Sequence, residues 1–296
     1  MPESVLAVDW HLPQIPVGSW FKAIVDWLQG NIGPFFDFVD KVVNGAVTGL
    51  ASALTWPPSL ALALVFALLG WWLRGWKFGL GSAIGFALMD SLGEFPSAMQ
   101  TLSQVLVAGV VAVVIAVPTG IAAARSEAVS RIVKPVLDFM QTLPAFVYLI
   151  PVIFFFSIGP VPGVVATVVF SLPPGVRLTE LGIRQVDPEM VEAGEAFGSP
   201  PRRILTEIQI PLAMPSIMAG INQIIMLSLS MVVISGMVGA PGLGAEVYAA
   251  VTSLKLDLGF NAGLGVVVLA IYLDRLTSSL GARSAVGRAL RRTAAA

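Results

Sequence analysis

Residues 95–124 of the chain read FPSAMQTLSQVLVAGVVAVVIAVPTGIAAA and contain no charged side chain. A helix that spans the hydrocarbon core of a bilayer needs about 20 mainly apolar residues, and this stretch is longer than that. Similar uncharged stretches cover 42–73, 139–176, 208–245 and 258–273. Only 12% of the 296 residues are charged, about half the share typical of a soluble domain. The sequence therefore predicts an all-α polytopic membrane protein.

The composition excludes several kinds of site. The chain has no Cys, which rules out disulfides, thiolate metal sites and a Cys nucleophile. Its single histidine, His11, cannot form a His metal cluster and stands alone in an N-terminal tail. The net charge of −1, with no dense basic run, gives no reason to expect a nucleic-acid partner, and no GxxxxGK[ST] phosphate loop occurs. We expect no metal and no catalytic residue here, and any nucleotide chemistry must come from another chain.

The uncharged stretches predict about seven spans, with Gly159-Pro160-Val161-Pro162-Gly163 as the turn between the fourth and the fifth. The predicted spans are 57–74, 77–95, 99–124, 142–158, 161–176, 212–238 and 259–279. Four Gly and Asp90 weaken the second of these. With the N-terminus outside and the C-terminus in the cytoplasm, 14 of the 17 Lys and Arg residues fall on the cytoplasmic side. That bias is the one expected for an inner-membrane protein.

The charge map also divides the chain into regions. We expect residues 1–56 to form an extracytoplasmic amphipathic region, with two helices broken at Gly33-Pro34. Residues 57–95 are predicted to form two accessory transmembrane helices, and 96–281 the main membrane domain. Residues 282–296 form a basic cytoplasmic tail that is expected to contact anionic membrane lipid.

Charged residues return in one predicted cytoplasmic loop, 185–211. Asp187 is a good helix N-cap, and Pro188 suits the first helical position. Gly198 can adopt the left-handed conformation that ends a helix, so the loop should contain a short helix and a sharp corner. On this helix Met190, Ala193 and Phe197 share one face, and three glutamates largely occupy others: Glu189, Glu192 and Glu195.

The spacing within this loop resembles the EAA motif of binding-protein-dependent ABC importer permeases, Glu-Ala-Ala-x3-Gly-x9-Ile-x-Leu-Pro. The matching positions are Glu192, Ala193, Gly194, Gly198, Ile208, Ile210 and Pro211, with Gly194 in place of Ala and Ile210 in place of Leu. The resemblance implies a type I importer fold and a short coupling helix that docks on a separate ATPase subunit. The expected coupling residues are Met190, Glu192, Ala193, Gly194, Glu195, Phe197, Gly198 and Pro211.

Segments 137–151, 211–223 and 229–234 are similar to those of glycine betaine/proline-type permeases. The resemblance implies import of a compatible solute such as glycine betaine, proline, carnitine or choline. It also implies an extracytoplasmic substrate-binding protein, a second permease copy, and ATP and Mg bound by the ATPase subunits rather than by this chain. Candidate residues lining the pathway are Thr142, Phe146, Tyr148, Asn222, Ser228, Ser230 and Ser235. Asn222 is the leading candidate, because an amide inside a membrane helix needs a partner.

Three alternatives compete with this interpretation. The first is an ABC importer for another amino acid, which the EAA loop alone does not separate. The second is an ion-coupled secondary transporter, which usually carries an ionisable group near mid-membrane, whereas Asp90 lies near the end of a predicted span. The third is an intramembrane enzyme, for which the chain offers no cluster of His, Cys or paired carboxylates.

Overall fold

A computed structural model describes residues 16–282, and every regular element within that range is a helix. The helices are α1 Val17–Thr55, α2 Ser59–Arg74, α3 Trp76–Ser91, α4 Phe95–Arg125, α5 Glu127–Thr142, α6 Ala145–Phe156, α7 Pro160–Arg184, α8 Pro188–Ala196, α9 Pro201–Ile204, α10 Ile210–Ser230, α11 Val232–Met237, α12 Leu243–Ser253 and α13 Leu256–Ala282. A π-helical turn, Leu205–Gln209, joins α9 to α10. His11 and the basic tail from residue 283 lie outside the described residues.

Helix α7 lies at the centre of the bundle and packs most extensively on α4 and α10, which also contact each other. Small residues permit this close approach, as is usual in membrane helix interfaces. On α4, Ala108, Ala112 and Ala116 are buried at intervals of four residues and so share one face. They pack in a cluster that also contains Val176 of α7 and Ile224 of α10.

Helices α2 and α3 form an antiparallel hairpin around Gly75 and pack against α4 and α13. Phe86 of α3 lies at the centre of an aromatic group, with ring centroids 4.7 Å from Phe66 and 5.0 Å from Tyr272. The Tyr272 hydroxyl donates a hydrogen bond to the carbonyl of Phe66 at 3.0 Å. The hairpin therefore shares a hydrophobic core with α4, α10 and α13.

The N-terminal region contains the two predicted helical segments. The two segments are joined as α1 across a kink at Ile32, where the backbone is non-helical with φ −124° and ψ 22°, and the second segment continues to Thr55. Pro34 lies two residues further on and has no N–H to donate to the carbonyl one turn earlier, which accounts for a kink at this place. The predicted break between two helical segments is therefore present, and it lies at Ile32, directly before Gly33-Pro34.

The predicted Gly-Pro turn is also displaced. The chain turns at Ser157–Gly159, and α7 begins at Pro160, so Pro160 and Pro162 lie in its first turn. Proline is tolerated there because the first N–H groups of a helix have no partner within the helix. The predicted span 161–176 is therefore part of a longer helix, which begins one residue earlier, at Pro160, and ends eight residues later, at Arg184.

The number of spans is smaller than the predicted seven when helix length is the criterion. Within residues 16–282, four runs are long and apolar enough to cross a membrane: Phe95–Arg125, Pro160–Arg184, Pro201–Met237 and Leu256–Gly281. Two more spans are counted if α1 and α2 together form one span bent by 101°, and α5 and α6 together form another with the same bend. Helix α3, predicted as the span 77–95, has 16 residues and rises about 24 Å. That rise is short of a hydrocarbon core of about 30 Å.

Candidate coupling surface and translocation residues

The short helix α8 begins where the loop sequence predicted. Asp187 is its N-cap, and the Asp187 carboxylate accepts a hydrogen bond from the backbone N–H of Glu189 at 3.0 Å. Pro188 occupies the first helical position, where no N–H is required. Glu189 lies in the first turn, where a negative charge is stabilised by the helix dipole. These local interactions make a nine-residue helix start at a defined residue.

Gly198 ends the same helix in a left-handed conformation, with φ +74°. The N–H of Gly198 donates to the carbonyl of Glu195 at 2.8 Å, and the N–H of Ser199 donates to the carbonyl of Gly194 at 3.1 Å. This pair of bonds is a Schellman motif, which satisfies carbonyls that the helix leaves free. The predicted corner at Gly198 is confirmed, and its geometry fixes the direction in which the chain leaves α8.

Gly194 explains part of the spacing of the motif. It is the one buried residue of α8, and a Cβ built on it would lie 2.8 Å from Cδ1 of Ile208 and 3.4 Å from Cγ1 of Ile204. Gly194 and Ile208, which are both positions of the EAA-like motif, therefore contact each other across the corner at Gly198. A glycine here allows α8 to lie close to α9 and the π-helical turn.

Five other predicted coupling residues on and beside α8 remain outside this contact and are exposed, and Glu192 and Glu195 line a hollow between α8 and the ends of α4 and α7. Phe197 is 90% exposed and Met190 is 48% exposed, while Glu192, Ala193 and Glu195 are also exposed. Two large apolar side chains flanked by carboxylates have the composition of a protein interface, with an apolar centre and a polar rim. The described part of the chain leaves this surface uncovered.

Pro211 lies just after a π-helical turn, Leu205–Gln209. This turn is not among the elements predicted from the sequence. The N–H of Ile210 donates to the carbonyl of Leu205, five residues earlier. Proline has no N–H, and its ring clashes with the carbonyl four residues before it in a regular helix. The wider turn accommodates Pro211 while the chain continues into α10. The proline was the only available signal, and it does not specify a π-helix.

The predicted pathway residues fall into two groups by exposure. Thr142, Phe146 and Ser230 are exposed. Tyr148, Ser228 and Ser235 are buried, with 7%, 1% and 4% exposure. Ser228 and Ser235 border an internal space of about 10 Å³, far too small for a solute in this conformation. The Tyr148 hydroxyl donates to the carbonyl of Met140 across the break between α5 and α6.

Asn222 has the hydrogen-bond partners that an amide within a membrane helix needs. Its amide nitrogen donates to the Asp274 carboxylate at 3.1 Å, and its amide oxygen accepts a hydrogen bond from the hydroxyl of Thr277. Both partners lie on α13, so this cluster joins α10 to α13. The sequence alone does not pair Asn222 with Asp274 or Thr277, because 52 and 55 residues separate them from it.

The family of this chain follows from comparison with known proteins. The sequence profile of the binding-protein-dependent transport system inner membrane component family matches residues 116–286, more than half of the chain. The chain belongs to this family. It is therefore a multi-pass inner-membrane permease subunit of a binding-protein-dependent transport system. The match includes the whole corner from Asp187 to Pro211.

Individual permeases of the family are similar over almost the whole chain. The glycine betaine transport system permease protein OpuAB of Bacillus subtilis is 50% identical over 91% of this chain and 96% of its own length. The glycine betaine/carnitine transport permease protein GbuB of Listeria monocytogenes is 46% identical over 93% of this chain and 98% of its own. The inward-facing MetNI methionine ABC transporter has a chain with 24% identity and a TM-score of 0.56, covering 67% of this chain and 95% of that chain. That likeness shows the ABC importer permease fold.

Proposed function

We propose that this permease imports a compatible solute of the glycine betaine type, driven by ATP that separate ATPase subunits bind with Mg and hydrolyse. The observation that carries the proposal is the 50% identity, over nearly the full length of both chains, to a glycine betaine permease. Carnitine, proline and choline are the further candidates within this solute class. An extracytoplasmic binding protein delivers the solute to the permease.

The coupling surface is the exposed face of α8. Phe197 and Met190 supply its apolar anchor, and Glu192 and Glu195 form its polar rim. Ala193 lies on the exposed side of the same short helix. The Schellman corner at Gly198 and the Gly194–Ile208 contact support the role by holding α8 in one orientation. Pro211 then directs the chain back into the bundle. A surface held in this way transmits a movement of the ATPase subunit to the helices attached to it.

A second copy of the permease completes the translocation pathway. Thr142, Phe146 and Ser230 are exposed on one copy and therefore available to line a passage between two. Tyr148, Ser228 and Ser235 are buried within this chain, and Asn222 is bonded to α13, so these four contribute only after the helices rearrange. Alternating access requires such a rearrangement.

Arginines support the proposed topology, with the N-terminus outside and the C-terminus in the cytoplasm. This topology requires α3 to cross the membrane as a short seventh span that returns the chain from Arg74 to Phe95. Three helices end at Arg74, Arg125 and Arg184, and Arg125 and Arg184 line the same hollow beside α8. At the tip of the α2–α3 hairpin, Arg74 donates to the carbonyl of Arg275, so basic residues gather on one side of the bundle. Basic residues favour the cytoplasmic side. The same topology makes 1–56 extracytoplasmic, 57–95 accessory and 96–281 the transport domain, with 185–211 as its coupling loop.

The test is reconstitution of the permease in liposomes with its ATPase subunits and its binding protein. We expect glycine betaine bound to the binding protein to stimulate ATP hydrolysis and to drive uptake of the labelled solute. Methionine serves as the control solute, because the methionine transporter shares only the fold. Stimulation by methionine and not by any betaine-like solute would reject the proposed substrate class.

A pair of glycine variants tests the coupling surface in the same preparation. Gly198→Val strains the corner, because valine strongly disfavours a positive φ. Gly263→Ala adds a methyl group on α13 where no atom lies within 4 Å. The first variant should reach the membrane in normal amounts but lose ATP-driven uptake, and the second should transport normally. Normal uptake by Gly198→Val would contradict the role assigned to α8.

A further inference from the structure

Helices α5 and α7 face each other through two rows of polar side chains. The row on α5 consists of Glu127, Ser130, Lys134 and Asp138, and the row on α7 of Arg177, Glu180 and Arg184. Spacings of three and four residues place each row on one face of its helix. Every member bonds to the opposite row: Asp138 pairs with Arg177, Ser130 and Lys134 pair with Glu180, and Glu127 pairs with Arg184.

Glu180 is the buried centre of these rows, with 4% exposure. Its Oε1 accepts a hydrogen bond from the Ser130 hydroxyl at 2.7 Å and pairs with Arg184 Nε at 3.0 Å and Lys134 Nζ at 3.5 Å. A buried carboxylate is stable only when it is paired and hydrogen-bonded, and removing one partner leaves charge uncompensated. The α5–α7 contact therefore has one preferred geometry at this point.

Arg184 joins three helices with one guanidinium group. Its Nη2 donates to the carbonyl of Ala123 at the end of α4 at 2.9 Å, and its Nη1 pairs with Glu127 at the start of α5. Its Nε pairs with Glu180 on α7 itself. The planar guanidinium presents five donors in a fixed fork, which a lysine ammonium does not reproduce.

The position of Arg184 connects this cluster to the coupling surface. It is the last residue of α7, three residues before Asp187, the N-cap of α8. The intervening segment is anchored, because Ile183 and Val186 are buried in one cluster with residues from the other side of the loop and from α10. The buried members of that cluster are Ile183, Val186, Leu205, Ala213 and Ile217. A displacement of α8 therefore reaches Arg184 through packed side chains.

The other end of the connection is the broken pair of helices α5 and α6. They meet at Leu143-Pro144 and are bent by 101°. The Tyr148 hydroxyl bonds back to the Met140 carbonyl across this break, so α6 is attached to α5. Helix α6 also carries Phe146, which is 51% exposed. A movement of α5 accordingly changes the position of a proposed pathway residue.

We propose that Arg184 and Glu180 are positioning residues that transmit movement of the coupling helix α8 to the broken pair α5–α6. This inference rests on the proposed function, since it assigns the route between its ATPase contact and its pathway. The polar rows hold α5 on α7, and Arg184 fixes both to the start of the coupling loop. The link works in both directions, so it also carries the signal of a loaded binding protein to the ATPase subunits.

The variants Arg184→Gln and Glu180→Gln test the link in the reconstituted complex. We expect each to abolish stimulation of ATP hydrolysis by glycine betaine-loaded binding protein, while basal hydrolysis and copurification of the ATPase subunits stay unchanged. Lys22→Gln is the matched control, because it also removes a cation from an ion pair, here an exposed pair with Asp26 on α1. Full stimulation in Arg184→Gln or Glu180→Gln would overturn the inference.

A milder pair of variants decides the question if either of these changes prevents assembly. Arg184→Lys keeps the positive charge but removes the planar guanidinium and its fixed set of donors. Ser130→Ala removes one hydrogen bond to Glu180. Both should assemble and show reduced stimulation. Their combination should cost no more than the worse single variant, since both act on one link. Independent, additive losses would indicate only local structural roles and would overturn the proposal.

A labelling experiment separates this inference from the proposed function. The chain has no cysteine, so Ile150→Cys, at a position on α6 that is 55% exposed, provides a unique site for an environment-sensitive fluorophore. A non-hydrolysable ATP analogue should change its emission in the complex, and Arg184→Gln should remove that change while Lys22→Gln keeps it. This measurement needs no transported solute. A change that persists in Arg184→Gln would refute the link even where uptake is normal.

Discussion

The corner at Gly198 gives the sharpest quantitative prediction. Gly198 has φ +74°, and a Cβ built on it would meet no atom within 4 Å. Substitution there therefore strains the backbone without causing a steric clash with the rest of the chain. For a residue with a Cβ, the left-handed conformation costs about 1–2 kcal/mol. Asparagine tolerates it better, and a β-branched residue tolerates it least.

This cost acts on the corner and not on the whole fold. Helix α8 has nine residues, only one of them buried, so it can rearrange locally while the bundle stays intact. A cost of 1–2 kcal/mol lowers the population of the closed corner by about 5–30-fold. Uptake should therefore decrease in the order Gly, Asn, Ala, Val at position 198, with little change in the thermal unfolding of the purified permease.

The assay is the initial rate of glycine betaine uptake, normalised to the amount of permease in the liposomes, across Gly198→Asn, Gly198→Ala and Gly198→Val. Thermal unfolding of each variant in detergent is the control. Equal rates for Asn and Val would refute the argument from backbone strain. A loss of thermal stability that parallels the loss of uptake would show that the corner is not a local element.

Two further predictions concern the half of the bundle away from α8. Gly244→Ala should abolish correct folding, because its Cβ would lie 2.0 Å from the carbonyl oxygen of Val232; the yield of folded protein measures this, with Gly263→Ala as the tolerated control. Burial, and secondarily the charge of Glu246, raises the pKa of Glu94 above its ordinary value of 4.5. The native state then holds this proton to higher pH than the unfolded state, so stability should fall as the pH rises from about 4.5 to the raised pKa, and a thermal-unfolding series should show that Glu94→Gln removes this decrease.

Local signals in the sequence were sufficient where the structure depends on neighbouring residues. Asp187, Pro188 and Gly198 act within one turn of where they stand, through a cap, a missing N–H and a permitted positive φ. Their positions therefore predicted the start and the end of α8 directly. The uncharged stretches likewise predicted the long helices, because burial in lipid depends on the composition of each segment.

Proline was harder to interpret because its effect depends on where the helix begins. The same residue ends a helix, kinks it or starts it, as Pro160 and Pro34 illustrate. Partners far apart in sequence were not accessible at all. Glu180 and Ser130 are 50 residues apart, and only the packing of α5 on α7 brings them together. A single sequence contains no information on such a pairing beyond the residue types.

The central claim is that the exposed face of α8 is the contact through which an ATPase subunit drives this permease. The most direct test is site-specific cross-linking from Phe197→Cys, which is possible because the chain has no other cysteine. Val251→Cys, at an exposed apolar position on α12, serves as the control. We expect a cross-link to the ATPase subunit from position 197, none from position 251, and loss of solute uptake once the link forms. Absence of a cross-link from 197 in an active complex would contradict it.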